Sequence, residues 1–340
     1  MTLQDVAAAA GVTSITVSRF LREPAVVAPA TAERIRSALA QTGYVPNKQA
    51  GLLASGVSNI VAALLPNLAN SIFAETAQGL SDGLQAAGFE LLLASTGYSL
   101  EREEQQLRAL LGWHPAAVVV TGRRHSAGAL QLLAQAKAAG TPVIEIWDHH
   151  PPEPGARRTT FTQIGFNHDQ VGRAMAQHLL AAGHRKLAYV DSGVAEDYRA
   201  HERGLAFATA ARAAGARVTV AVAPAGDAFD AGRQVLAELL RAKPPRITAA
   251  AFANDHLACG ALLEATRRDL GVPARLALLG FGDFAIARQL SPALSSVQLP
   301  RYEIGAETAR SLLDALRLSK PAVPVSLPWT LVGRGSTGTA

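Results

Sequence analysis

From Asn59 onward the chain repeats one pattern, and that pattern leaves few folds open. Continuous apolar runs, NIVAALLP, FELLLAS, AAVVVTG and PVIEIWD, alternate with segments of helical periodicity. A second series follows in TQIGF, KLAYVDS, ARVTVAV, RITAAAFAND and RLALLGFGD. A strand that is apolar all round must be covered on both faces, so the alternation predicts parallel sheets sandwiched between helices. Two series of similar size, divided by the proline-rich HHPPEPGARR at 149–158, predict two lobes. In such sheets ligands gather at the carboxyl ends of the strands, which makes the residues just after each strand the binding candidates.

The first 45 residues follow a different rule and read as helical throughout. Thr2 and Asp5 have the spacing of a capping box, with a hydroxyl for a free helix N–H and a carboxylate near the positive end of the dipole. Gly11 is placed to end this helix as a C′ glycine, and Thr13 to cap a second one with Val17, Phe20 and Leu21 facing inward. A third helix is expected over roughly Ala30 to Thr42, closed by Gly43. Helix, tight glycine turn, helix is the arrangement that places a second helix in the DNA major groove. With its apolar side turned in, that helix leaves Ser14, Ile15, Ser18 and Arg19 outside. Short hydroxyls permit close approach to phosphates, an arginine matches guanine bidentately, and an aliphatic group meets a thymine methyl. Residues 1–58 carry five basic groups (Arg19, Arg22, Arg34, Arg36, Lys48) against three acids (Asp5, Glu23, Glu33), which suits a polyanionic partner.

Composition narrows the rest. The 340 residues have room for two or three domains, and a charged fraction of 17% with net charge +5 is basic without being polybasic. The single cysteine, Cys259, excludes an internal disulfide and lies in a helical stretch beside Ala258 and Gly260, as a packing thiol does. MTLQDVAAAA lacks the basic-then-apolar order of a secretory signal, and no run of 18 apolar residues occurs. The expectation is a cytoplasmic protein without membrane association. ALLGFGDF has too few spaced glycines for a dinucleotide fingerprint, His149-His150 lacks metal-ligand spacing, and neither GxSxG nor a P-loop is present. No catalytic apparatus, cofactor or metal is expected.

At this point the stretch TLQDVAAAAGVTSITVSRFLREPAVVAPATAERIRSALAQTGYVPNKQAGLLASG resembles the N-terminal headpiece of the LacI family of bacterial transcriptional regulators, through VSR, GYVPN and the following Leu-Ala. The resemblance continues in GHRKLAYVDS, FANDHLACGAL, LLGFGDF and LSSVQLPRYEIG, covering about residues 2–335. It implies an N-terminal all-α helix-turn-helix headpiece (1–46), a hinge helix or linker (47–58), and an α/β two-lobe periplasmic-binding-protein-like effector domain (59–335). The lobe crossovers are expected near 149–161 and 288–295. By resemblance the DNA contacts are Thr13, Ser14, Ile15, Thr16, Ser18 and Arg19 on the headpiece, and Asn47, Leu53 and Ala54 on the hinge, with Leu53 wedging into a minor-groove step. The implied partners are a double-stranded, pseudo-palindromic operator, a second copy of the chain, and a small effector in the interlobe cleft. First-lobe helices beginning near Ser71 and Leu100 would make the homodimer contact, and no leucine-rich heptad tail follows WTLVGRGSTGTA to add a tetramer.

The same carry-over places Phe73, Thr121, Asp148, His201 and Asn254 in the cleft. Two departures from the sugar-binding pattern bear on the ligand. Gly282 stands where most members carry a sugar-clamping aspartate, and His201 where an arginine usually precedes the glycine of ERGLAF. In their place TGRRH adds Arg123, Arg124 and His125 after a strand, and Arg301 occupies a position commonly aromatic. Losing a carboxylate and gaining guanidinium groups suits an anionic effector, which a planar fork meets bidentately. ALLPNLANSIFAE, TGRRH and the Pro-Arg pair are similar to the gluconate-operon repressors within the family. The expected effector contacts are Phe73, Thr121, Arg123, His125, Asp148, His201, Asn254 and Arg301, and the expected effector is gluconate or a close sugar acid that releases the protein from its operator. The alternatives are a neutral sugar or a purine-like corepressor, the latter requiring aromatic stacking pairs.

Overall fold

The structure, a computed structural model, describes residues 1–45, 58–68, 72–150, 161–241 and 247–338. The chain divides into two compact units, Met1–Ser58 and Asn59–Ala340. Hinge residues Asn47, Leu53 and Ala54, and Ser71 at the expected dimer contact, lie outside the described residues.

In the first unit α1 (Leu3–Ala10), α2 (Ser14–Arg22) and α3 (Pro29–Thr42) enclose one small core of Val6, Val17, Phe20 and Ile35. The capping box forms: the Thr2 N–H donates to Asp5 Oδ2 at 2.7 Å and the Asp5 N–H to Thr2 Oγ1 at 3.3 Å. These bonds, the backbone one first, hold the Asp5 carboxyl below its ordinary range. Gly11 takes φ 63°, a left-handed conformation that costs glycine little, and lets the Val12 N–H reach back to the Ala7 carbonyl.

The second unit contains two six-stranded sheets. In chain order its elements are β1 (Ile60–Leu65), α4 (Ala74–Gln85), β2 (Glu90–Ser95), α5 (Leu100–Leu111), β3 (Ala117–Thr121), α6 (Ala127–Ala138), β4 (Val143–Ile146) and β5 (Thr162–Gly165). Then come α7 (His168–Ala181), β6 (Lys186–Asp191), α8 (Tyr198–Ala213), β7 (Arg217–Val222), α9 (Ala228–Arg241), β8 (Ala249–Phe252) and α10 (Asp255–Arg267). The last are β9 (Ala277–Gly282), α11 (Ala285–Gln289), β10 (Ser295–Gln298), α12 (Arg301–Leu318), β11 (Val325–Ser326) and β12 (Thr330–Val332). The sheets run β11-β5-β4-β3-β1-β2 and β12-β10-β9-β8-β6-β7, and every pairing is parallel except β10 with β12. Central strands such as β3 and β9 are buried along their whole length, which is why they read as unbroken apolar runs.

One expectation needs correction. TQIGF does not open the second series: β5 pairs with β4 in register Ile144↔Thr162 and so extends the first sheet. The chain passes to the second lobe only after β5, since α7 packs against α8. It returns between β10 and α12, which packs on α4, and passes over once more between β11 and β12. The lobe crossovers therefore fall at 166–167, 299–300 and 327–329 rather than near 149–161 and 288–295. Helix α7 lies so close to α8 that a Cβ on Gly172 would meet the Arg203 carbonyl oxygen at 2.2 Å.

Candidate DNA-contacting face and effector cleft

On the first unit the outward face of α2 is built by what its inward face consumes. Val17 and Phe20 are buried, Ser14, Thr16 and Ser18 are half-buried, and Thr13 and Arg19 are exposed. Thr13 Oγ1 accepts the Thr16 N–H at 3.3 Å and lies 3.0 Å from the Thr16 hydroxyl, so both residues pin the amino end of the helix. Ile15 is 71% exposed, an apolar side chain held out into solvent where packing gives it nothing to do. Arg19 makes no ion pair within the described residues, whereas Arg36 is tied to Glu33 at 2.6 Å and lies over the Phe20 ring. The face thus offers one unpaired guanidinium, short hydroxyls and an aliphatic group.

In the second unit, loops at the carboxyl ends of the strands from both lobes enclose a cavity of about 370 Å³, within the range of small-molecule sites. Its first-lobe wall is aromatic: Phe73 meets Trp147 edge-on with centroids 5.0 Å apart, and Trp147 Nε1 donates to Thr76 Oγ1 at 3.2 Å. Trp147 holds φ 71°, strained for a bulky residue, as side chains aimed into sites often are. The second-lobe wall carries Phe281, Phe284, Asn254 and His256, the last stacked on Phe284 at 4.8 Å with the planes 9° apart. Aromatic side chains are more numerous here than Phe73 alone suggested.

Arg199 and Arg203 supply the positive charge. Four residues apart on α8, they share one helix face, line the cavity, and are 5% and 4% exposed. Arg203 Nη2 donates to the Ala253 carbonyl at 3.0 Å, its guanidinium lies 3.7 Å from the Phe281 centroid, and its Nε is buried without a partner among the described residues. Arg203 Nη1 lies 3.0 Å from His168 Nδ1, while His168 Nε2 lies 2.9 Å from the Trp147 carbonyl. Those partners place the imidazole proton on Nε2. Burial, and then Arg203, hold His168 well below its ordinary pKa, so the ring is neutral. Arg199 stands beside Tyr98 in the cavity lining and lies over the rings of Phe73 and Tyr198 at 6.0 and 5.1 Å. Burial opposes its charge, but the Tyr198, Asp197 and Asp148 oxygens outweigh burial and raise its pKa.

The expected contacts are spread over several settings. Phe73 and Asn254 line this cavity; Thr121 and His201 line a second one of about 260 Å³. Thr121 Oγ1 donates to the Leu64 carbonyl at 2.9 Å, and His201 Nε2 faces Asp191 at 3.3 Å. Asp148 lines neither. It is fully buried and accepts the Tyr198 hydroxyl, and burial pushes its carboxyl up to about 6.

Arg123, His125 and Arg301, expected at the effector, each already have protein partners in this structure. Arg123 and Arg124 both donate to Glu202 of α8, at 2.6 and 3.0 Å, and the Arg123 N–H donates to the Tyr198 hydroxyl at 2.7 Å, so this pair ties the lobes together. His125 is enclosed between Glu103 at 2.7 Å and Glu145 at 3.5 Å. Arg301 pairs with Glu75 at 2.7 Å, donates to the Gly282 carbonyl and covers the Phe284 ring. The loss at position 282 also has a steric reason: a Cβ there would lie 2.9 Å from the Phe284 ring. Sequence reasoning passed over Arg199 and Arg203; their four-residue spacing on one helix was the available signal.

Residues 2–47 match the family model described as "Bacterial regulatory proteins, lacI family", and residues 176–337 match "Periplasmic binding protein-like domain". The chain is 37% identical over 314 residues to the "HTH-type transcriptional regulator GntR" of Pseudomonas aeruginosa, spanning 92% of this chain and 88% of that one. This chain belongs to the LacI family of bacterial transcriptional regulators. It is a DNA-binding transcriptional regulator with a helix-turn-helix headpiece and a two-sheet effector unit. The GntR regulator of Escherichia coli K12 is 32% identical over 93% of this chain and 92% of its own. The crystal structure of a LacI-family transcriptional regulator from Silicibacter pomeroyi superposes with a TM-score of 0.88 at 31% identity, covering 99% of both chains. Among the described residues no helix is long and apolar enough to cross a membrane, and no three His, Cys, Asp or Glu side chains are grouped to hold a metal. Burial pushes the Cys259 thiol up to about 12, which leaves it inert at neutral pH.

Proposed function

We propose that this regulator is a cytoplasmic repressor, without enzymatic activity, released from a pseudo-palindromic operator by gluconate or a close sugar acid. One observation carries the effector: two buried arginines, one helical turn apart, line a cavity with aromatic side chains on both walls. In this site Arg199 meets the carboxylate, the stem of the sugar acid lies against Phe73 and Trp147, and Asn254 bonds a hydroxyl. Asp148 and Tyr198 keep the arginine charged and in place. The motifs similar to the gluconate-operon repressors point to the same ligand class.

In this mechanism a homodimer reads two half-sites through Thr13, Ser14, Ile15, Thr16, Ser18 and Arg19, with the hinge segment 47–58 in the minor groove. Exposed Leu93 on β2 and Leu100 on α5 suit a dimer contact in the first lobe. Effector binding favours one arrangement of the lobes, and the ligand acts only through its differential affinity for the two states. A release of about 100-fold corresponds to about 2.7 kcal/mol of coupling. Calorimetry of the full chain tests the site. Arg199→Gln is expected to weaken gluconate by about 2–3 kcal/mol, roughly 30- to 150-fold, with operator affinity unchanged. Undiminished binding would remove Arg199 from the site. The stacked His256–Phe284 pair favours a second reading, a purine-like corepressor, for which the ligand would tighten operator binding instead.

A further inference from the structure

Tyr98 lies in a turn between β2 and α5 at φ 66°, directly after Gly97 at φ 59°. Left-handed backbone costs a residue with a Cβ roughly 1–2 kcal/mol, and glycine or asparagine serve such positions more cheaply. What the tyrosine supplies is a partition. The cavity of about 370 Å³ and the cavity of about 260 Å³ share two lining residues, Tyr98 and Arg199. Those two side chains stand side by side, and the Tyr98 ring packs against Phe73 with centroids 6.5 Å apart. The chambers differ in character. The first is walled by aromatic rings, whereas the second is polar, lined by Thr96, Thr121, Arg124 and His201 together with the carboxylates of Glu103 and Glu196.

We propose that Tyr98 is a specificity-determining wall: with the neighbouring Arg199, it divides one interlobe cleft into an effector chamber and a separate second chamber, and so limits the effector to the length of a single sugar acid. The inference rests on the sugar-acid reading. In the native protein the carboxylate stops at Arg199, because Tyr98 and Arg199, which line both cavities, stand across the way onward. With the ring gone, the hexose of a disaccharide acid keeps the aromatic chamber while its open-chain acid end passes into the second. There the largely exposed Arg124, exchanging its Glu202 partner, meets the carboxylate, and Thr96 offers a hydroxyl.

The test uses the full chain with Tyr98→Gly and Tyr98→Asn, two substitutions suited to the left-handed backbone, so that failure of one to fold leaves the other. Calorimetry is run with gluconate and with lactobionate, which is gluconate bearing a galactose, and Tyr98→Gly is crystallised without ligand. The native chain is expected to bind lactobionate at least about 100-fold more weakly than gluconate, a discrimination that steric exclusion readily supplies. Both variants are expected to gain at least about 10-fold for lactobionate and lose about 10-fold for gluconate. The Tyr98→Gly crystal should show one continuous cavity. A native chain that accepts both acids equally, variants that keep gluconate but gain nothing for lactobionate, or an Arg199 that swings across to refill the gap would each overturn the proposal. A native chain that binds neither acid refutes the sugar-acid reading instead. The crystal then decides the wall by itself, a joined cavity sustaining it and a divided one overturning it.

Discussion

Raising the pH should loosen the first lobe at one identifiable point. The His125 imidazole is enclosed by Glu103 of α5 and Glu145 of β4, and Gln163 donates to the same Glu145 at 2.8 Å. Burial opposes its charge, yet the Glu103 hydrogen bond and the fields of both carboxylates outweigh burial and lift its pKa from 6.5 to about 9. The folded protein therefore holds this proton more tightly than the unfolded chain. Its stabilisation is complete below pH 6.5 and is lost as the pH rises through 9. A difference of roughly 2.5 pH units at 1.36 kcal/mol each gives about 3 kcal/mol. The assay is urea unfolding followed by tryptophan fluorescence. All three tryptophans, Trp113, Trp147 and Trp329, lie beyond residue 58, so the signal reports the two-lobe unit. His125→Gln serves as the reference, because titrations elsewhere cancel in the difference. The native advantage over His125→Gln is expected to be about 3 kcal/mol near pH 6 and to shrink toward zero by about pH 10. An advantage independent of pH would refute a charged histidine in this clamp.

Gly172→Ala should destabilise the two-lobe unit by about 1–3 kcal/mol, since the new methyl meets the Arg203 carbonyl at 2.2 Å; urea midpoints check this. The same substitution should weaken gluconate, because α8 must shift and carries Arg199 and Arg203 with it. Arg19→Ala should cost about 1–3 kcal/mol of operator affinity and relax preference at one base pair per half-site, measured by anisotropy on a panel of substituted operators. An equal loss on every operator would reassign Arg19 to phosphate.

Local chemistry explains what the sequence disclosed and what it hid. Thr2 with Asp5, and Gly11, act on neighbours within four residues, and the structure forms the capping box and the left-handed turn expected there. Apolar runs disclosed the strands because burial on both faces leaves its mark in every residue. They did not disclose which sheet a strand joins. TQIGF belongs to the first sheet through pairing with β4 and with β11, more than 150 residues later, and no local pattern records that. Charged residues behaved likewise. TGRRH and Pro300-Arg301 looked available because their partners, Glu202 and Glu75, lie 78 to 79 and 226 residues away. Arg199 and Arg203 were hidden because their inward direction depends on how α8 packs against α7, which no residue nearby in sequence records. Asn47, Leu53 and Ala54 remain expectations for the operator complex.

The most direct test of the central claim is an operator-release titration. The full chain is bound to a fluorescent operator, gluconate is added, and anisotropy is followed beside parallel titrations with glucose and with a purine base. The account predicts that gluconate lowers operator affinity about 100-fold, matching about 2.7 kcal/mol of coupling, and that glucose does not. Release by glucose with no response to gluconate, or tighter binding caused by the purine, would contradict it.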